Sequence, residues 1–204
     1  GLLIAFTFSG AASRFDDRRE LIVQEANAIG TAYLRIDLLP EGAHESMRER
    51  FRSYLDARIE GYRKLPDVEA ARVVLTQANA MQGEIWTAAI AAAHGEGASP
   101  DALKLLLPAL NDMFDITTTR TNATSIHPPM IIYGMLVILT LAAALMAGYG
   151  MAGSMGRPWL HIVGFALVMA LAVYIIIDLE YPRLGLIRVE GFDQALMNLR
   201  SGMK

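Results

Sequence analysis

The uncharged stretch MIIYGMLVILTLAAALMAGYGMA, residues 130–152, decides the class of this fold. It contains no acidic or basic side chain, and a second stretch, WLHIVGFALVMALAVYIII at residues 159–177, contains only His161. At about 1.5 Å of rise per residue, a helix of either length crosses the roughly 30 Å hydrocarbon core of a bilayer. We therefore predict transmembrane helices at residues 129–152 and 159–177.

The first residues, GLLIAFTFSGAAS (1–13), are also apolar and begin without methionine. We interpret them as the end of a further transmembrane helix in a chain that is incomplete at its N-terminus. Of the 18 Lys and Arg residues, 13 lie in residues 14–128 and four in 183–204, while only Arg157 lies between the two predicted spans. Because cations favour the inner side, we expect residues 14–128 and the C-terminal segment 178–204 in the cytoplasm.

The composition argues against several classes of function. The chain has no cysteine, which excludes disulfides and thiolate metal sites. The net charge of −3 comes without a basic tail, so nucleic acid is not an expected partner. The sequence also lacks a nucleophile elbow, a phosphate-binding loop and a cluster with metal-ligand spacing. We predict that the protein is not an enzyme and holds neither a metal nor a cofactor.

The region 14–128 has helical periodicity and almost no strand alternation. It is divided by three breakers, which are PEGAH (40–44), KLPD (64–67) and HGEGASP (94–100). We predict four helices: one that continues from the membrane to about Leu39, one at about 45–63, one at about 67–93 that buries Val68, and one with Ser99 as its N-cap and Pro100 in its first turn. The fourth should continue, kinked, through Pro108. The predicted fold class is an all-α membrane protein with a cytoplasmic helical domain inserted between its spans.

One face of the first helix carries a distinctive pattern. When residues 2–37 are wound as a single helix, ten side chains fall within about 80° of one another, at steps of three or four. We call these residues the polar stripe: Leu2, Phe6, Ser9, Ser13, Asp17, Glu20, Gln24, Asn27, Thr31 and Arg35. Its first part is apolar apart from two serines, and its second part is almost wholly polar. We predict that this stripe is the functional surface.

Apolar residues flank the polar stripe on both sides, unlike the pattern of an ordinary solvated helix. One flank holds Leu21, Ile22, Ala28, Ile29, Ala32 and Ile36, and the other holds Val23, Ala26, Gly30, Tyr33 and Leu34. A helix with two apolar flanks is expected to be packed on both. The polar stripe then faces either bulk water or a water-filled channel on a symmetry axis, and the periodicity does not decide between these two.

Three further acidic residues stand out. Glu25 projects among apolar residues, where a carboxylate is costly unless it is paired. Arg18 and Arg120 are its candidate partners. The resulting ion pair either stabilises the structure or takes part in gating. Asp178 and Glu180 lie at the end of the last predicted span; they either concentrate cations near a pore or meet arginines of neighbouring helices. We call these two the membrane-exit acids.

With SRFDDRRELIVQEANAIGTAYLRIDLLP, LLLPALNDMFDITTTR, HPP and DLEYPRLGLIRV in view, the whole sequence resembles a bacterial family of membrane proteins described as bestrophin-like. The resemblance implies four helical spans, of which this chain lacks the first and part of the second. It also implies a distant relation to bestrophins, which are pentameric ion channels whose second span lines the pore through an apolar neck.

By that resemblance, Leu2 and Phe6 match neck positions, and residues 17–35 match the cytoplasmic vestibule. The Pro-Phe-Gly tripeptide typical of bestrophins after their last span is absent, and YPRLG (181–185) stands there, which weakens the expectation of a calcium-binding role for that segment. The leading hypothesis is a homo-oligomeric ion channel, a pentamer by analogy, with small ions, the lipid bilayer and its own copies as partners. The alternative is a non-conducting membrane scaffold or accessory subunit.

Overall fold

The computed structural model describes residues 1–65, 67–151, 159–182, 185–187 and 190–204, with the side chains of 190–192 outside the description. Arg157 and the end of the first predicted span, residue 152, lie outside the described residues. The described residues form helices and no strand. The helices are α1 (Leu2–Leu34), α2 (Glu41–Arg63), α3 (Val68–Ala93), α4 (Ala102–Ala123), α5 (Met130–Met151), α6 (Trp159–Glu180) and α7 (Glu190–Gly202).

The chain divides into two compact units. The first comprises Gly1–Asp17 with Ile126–Ile187, and the second comprises Arg18–Ser125 with Arg188–Lys204. Helix α1 therefore contributes its first half to one unit and its second half to the other. The C-terminal residues, which the sequence presents as one segment, are likewise shared between the two units.

In the first unit, α5 and α6 are long and apolar enough to cross a membrane. Their most apolar windows have mean hydropathies of 2.4 and 2.6, and only 6% of each window is buried. The core helix of a soluble protein would be mostly buried, so these two helices expose an apolar surface that lipid stabilises and water does not. A small core of Ala11, Ile176 and Leu179 joins α1 to the end of α6.

The second unit has a true hydrophobic core. Helix α2 lies at its centre and packs against α3 and α7, because its apolar residues recur every three or four positions. The fully buried side chains of this core include Ile29, Ile36, Met47, Phe51, Tyr54, Leu55, Ile85, Leu106, Leu110 and Met113. Helix α1 contributes through the face opposite to the polar stripe.

Some helix boundaries differ from those expected. Helix α2 begins at Glu41, four residues before the expected start. Pro40 has a φ of −57°, which suits the entrance to a helix, and only Leu39 and Pro40 separate the preceding 3-10 turn from α2. The expected N-cap at Ser99 is wrong: α4 begins at Ala102, and the Ser99 hydroxyl accepts the Asp101 amide, at 3.3 Å, within the preceding turn.

Two further features of the helices are as expected, and two differ from the expectation. Asp67 caps α3 by accepting the amide of Ala70 at 3.0 Å, and α4 continues through Pro108. Val68, however, is 66% exposed rather than buried. A short 3-10 turn, Arg35–Leu38, ends the first helix earlier than expected.

Candidate functional site

The polar stripe of α1 is exposed along its whole length. Nine of its ten members are exposed and Arg35 is half-buried. The two apolar members near the start of α1 are among the most exposed, Leu2 at 74% and Phe6 at 68%. The stripe residue Gln24 donates to Glu20 at 2.8 Å, and Arg35 donates through Nη1 to the carbonyl oxygen of Leu105.

The two flanks of the stripe are packed unequally. Ile22, Ile29, Ala32 and Ile36 of one flank are buried. On the other flank Ala26 is buried, but Val23 is 43% and Leu34 is 71% exposed. The expectation of packing on both flanks is therefore wrong for these two residues within one chain, because they project next to the stripe, away from the core. They leave an apolar border along one edge of the polar stripe.

Glu25 lies on the buried face and holds three helices together. Its side chain is fully buried, and its Oε1 accepts from Arg58 Nε of α2 at 2.7 Å. Its Oε2 pairs with Arg120 of α4. Among the described residues, these are the ion pairs of Glu25. Arg18, the other candidate partner, donates to the carbonyl oxygen of Ala123 at 3.2 Å.

The two arginines extend this cluster to α7. Arg120 also pairs with Asp193 of α7 at 2.9 Å, and its guanidinium lies 3.6 Å from the ring centre of Tyr62. Arg58 donates to the Tyr62 hydroxyl. Burial raises the pKa of Tyr62 to about 12. Burial alone would lower the pKa of Arg58, but the adjacent Tyr62 and Glu25 raise it above its usual value. Two carboxylates thus neutralise two buried guanidiniums, which fixes α1 against α2, α4 and α7.

Arg58 was missed by the sequence analysis, although a signal was present. It lies four residues after Tyr54 and four before Tyr62, on the apolar stripe of α2. A charged residue in register with buried positions requires a buried partner of opposite charge. Glu25 is likewise a charged residue in register with the buried positions of α1, so an ion pair between the two residues could have been predicted.

Glu180, one of the membrane-exit acids, faces an arginine of another helix. Its side chain is fully buried, and its Oε1 accepts from Arg14 Nε of α1 at 2.8 Å. Its other oxygen lies 3.4 Å from Nδ1 of His127. The ring of His127 is stacked on that of Tyr181, with ring centres 4.7 Å apart. Both carboxylate oxygens are therefore engaged within the first unit.

Asp178, the other membrane-exit acid, closes the turn that follows α6. Its Oδ2 accepts the backbone amides of Leu186 and Ile187 at 3.1 and 3.0 Å. A Cβ on Gly185 would lie 1.3 Å from the Asp178 Oδ1, so only glycine fits beneath this carboxylate. Gly185 ends the YPRLG segment quoted above, but the requirement for space under Asp178 depends on a contact that no local pattern shows.

The chain matches a family model over most of its length. The model described as Bestrophin-like domain matches residues 1–191. The chain belongs to the bestrophin-like family. A search of the curated proteins and a search of the solved structures each gave no match. The bestrophin-like assignment agrees with the helical fold and the two apolar helices.

The described residues of this bestrophin-like chain contain no group of three or more histidine and acidic side chains able to hold a metal ion. Two features of the described part of α1 are candidates for function. They are an exposed stripe that changes from apolar to polar along α1, and a buried charge cluster that holds α1 in place.

Proposed function

We propose that this bestrophin-like protein is a homo-oligomeric ion channel whose pore is lined by the polar stripe of α1. The observation that carries the proposal is the exposure of the nine stripe residues from Leu2 to Thr31, on the side of α1 opposite to its buried face. Conduction requires a wetted path with a narrow constriction. Copies arranged around an axis would form the constriction from Leu2 and Phe6 and the wetted path from the polar members.

The apolar border of the stripe supports assembly. Val23 and Leu34 are exposed beside polar residues, and burying them against a neighbouring copy would remove apolar surface from water. By analogy with bestrophins the assembly is a pentamer. The second unit and the C-terminus lie in the cytoplasm, α5 and α6 span the bacterial inner membrane, and small ions are the transported species.

The charges of the stripe favour cations. Asp17 and Glu20 are exposed, so each forms an acidic ring in an oligomer. Arg35 is half-buried and bonded to Leu105, which reduces its influence on the axis. We expect a reversal potential in asymmetric potassium chloride on the cation side, which Asp17→Asn with Glu20→Gln shifts toward that of chloride.

A conductance measurement tests the proposal. The protein is reconstituted in planar bilayers, and Phe6→Ala is expected to raise the single-channel conductance because it widens the constriction. Phe8→Ala is the matched control, since Phe8 is 46% exposed but lies off the stripe. A protein that passes no ions, with or without Phe6, would overturn the proposal.

The alternative function is a non-conducting scaffold or accessory subunit, whose stripe faces water or a partner. Mass photometry in detergent separates the two functions, because one such chain cannot enclose a pore. An oligomer is expected from the channel proposal, and a monomer would support the scaffold.

A further inference from the structure

A crevice in the first unit shares only Phe6 with the lining of the proposed pore. It has a volume of about 390 Å³ and lies between the first half of α1 and the start of α5. Leu3, Gly10 and Arg14 line one wall, and His127 and Ile132 line the other, with Phe6 at the edge. The volume is within the range of small-molecule sites.

One end of the crevice offers hydrogen-bond donors. Arg14 uses Nε and Nη2 on Glu180, and its Nη1 has no acceptor among the described residues. His127 faces Glu180 through Nδ1, which leaves its Nε2 without a bonded partner in the part of the chain that the structure describes. The Arg14 and His127 side chains are 27% and 26% exposed. Arg14 Nη1 therefore remains available to an acceptor that enters the crevice.

Gly10 gives Arg14 its position. A Cβ at residue 10 would lie 3.2 Å from Nη1 of Arg14, which is tighter than ordinary contact, and 3.5 Å from its Nη2. The guanidinium thus folds back along α1 over a residue without a side chain. Any larger residue at this position would displace the guanidinium or fill the crevice.

The other end of the crevice is apolar. The crevice lies at the level of the boundary between the lipid headgroups and the hydrocarbon. Leu3 and Ile132 lie among the apolar residues of α1 and α5, whereas Arg14 follows the last apolar residues of 1–13 and Glu180 ends α6. The donors are consequently at headgroup level, and the apolar wall is on the hydrocarbon side. Because Arg14 keeps Nη1 free of Glu180, the ligand that complements this end is an anion with an apolar tail.

We propose that this crevice binds an anionic phospholipid of the surrounding bilayer. The phosphate accepts from Arg14 Nη1, and an acyl chain lies along Leu3 and Ile132. The bound lipid would join α1 to α5 at the membrane surface. This site does not depend on conduction, since a scaffold would carry it equally.

Native mass spectrometry of the full chain in detergent tests the site. The protein is delipidated and titrated with phosphatidylglycerol or with phosphatidylcholine, and lipid bound per chain is counted. We expect preferential retention of phosphatidylglycerol. Arg14→Gln should lower that preference by roughly fivefold, the weight of one basic side chain near an anionic surface. Equal retention of the two lipids by the native chain would overturn the proposal.

Two further variants guard against misfolding. Gly10→Leu fills the crevice while the charges remain, and it should abolish the preference. Arg14→Gln combined with Glu180→Gln removes the unpaired buried carboxylate that Arg14→Gln alone leaves, and should also lose the preference. Arg72→Gln is the control, because Arg72 pairs with Glu69 on an exposed surface of the second unit.

The source of the phosphate is tested by competition. Glycerol 3-phosphate, which lacks the acyl chains, should not displace the bound phosphatidylglycerol at equal concentration. Displacement by glycerol 3-phosphate would contradict a lipid site and indicate a soluble anion. Retained preference in Gly10→Leu would place the lipid elsewhere and equally overturn the proposal.

Discussion

Glu25 of α1 and Arg58 of α2 form an ion pair that is closed to solvent, with Oε1 and Nε 2.7 Å apart and side chains 0% and 1% exposed. The second carboxylate oxygen pairs with Arg120 of α4. A single acidic side chain therefore fixes the second half of α1 against two other helices. The opposite face of this half of the helix carries the stripe residues from Glu20 to Thr31, so the pair orients that part of the stripe away from the core of the second unit.

Replacing Glu25 with glutamine should destabilise the second unit strongly. Two buried guanidiniums would lose their shared counter-charge, a change that typically costs about 3–5 kcal/mol. Thermal unfolding followed by circular dichroism in detergent measures the effect. Glu49→Gln is the control, because Glu49 pairs with Arg52 on an exposed face and should change stability little. Equal melting temperatures for the two variants would contradict the buried pair.

Alkaline pH should weaken the same unit through Tyr62. Its pKa is raised from 10.0 to about 12, so above pH 10 the unfolded chain loses the proton while the folded chain keeps it. Stability is therefore complete below pH 10 and falls as the pH rises toward 12, by up to roughly 3 kcal/mol. Tyr62→Phe should flatten the fall in unfolding free energy between pH 9.5 and 11.5; an unchanged slope would show that Tyr62 is not the titrating group.

Gly185→Ala should open the turn after α6. The added Cβ would collide with the Asp178 carboxylate and displace it from the amides of Leu186 and Ile187, at a cost of about 1–3 kcal/mol for the lost bonds. Hydrogen exchange of those two amides should accelerate. Gly134→Ala is the control, since a Cβ at Gly134 meets nothing within 4 Å. Protection that survives in Gly185→Ala would contradict the contact.

Helix α7 should be held by packing more than by its exposed ion pair. Leu196 is fully buried, so Leu196→Ala is expected to cost about 2–5 kcal/mol. Arg200 bonds to Asp56 through two nitrogens at 2.8 and 2.9 Å, but Asp56 is exposed and Arg200 is only half-buried, so Asp56→Asn should cost less than about 1 kcal/mol. Limited proteolysis of the C-terminus ranks the two variants, and the reverse order would refute this account of α7.

The sequence predicts those parts of the structure that depend on local periodicity. The two apolar helices, the Asp67 cap and the exposed phase of the polar stripe all follow from spacing along one chain segment. What it misses depends on contacts between distant segments. Arg58 pairs with Glu25, from which it is separated by 33 residues of chain. Gly185 leaves space for the side chain of Asp178, which accepts backbone amides from the segment after α6. Helix α7 is amphipathic, but only the burial of Leu196 in the core of the second unit shows where its apolar side packs.

The central claim is that the polar stripe faces the axis of an ion-conducting assembly. The chain has no cysteine, so a thiol introduced at one position is unique. Ser9 is on the stripe and Phe8, the preceding residue, points about 100° away; both are exposed. The most direct measurement is the bilayer current of Ser9→Cys and Phe8→Cys before and after a cationic methanethiosulfonate reagent. Block of Ser9→Cys alone is the predicted result, whereas equal effects on both variants, or no current in either, would contradict the claim.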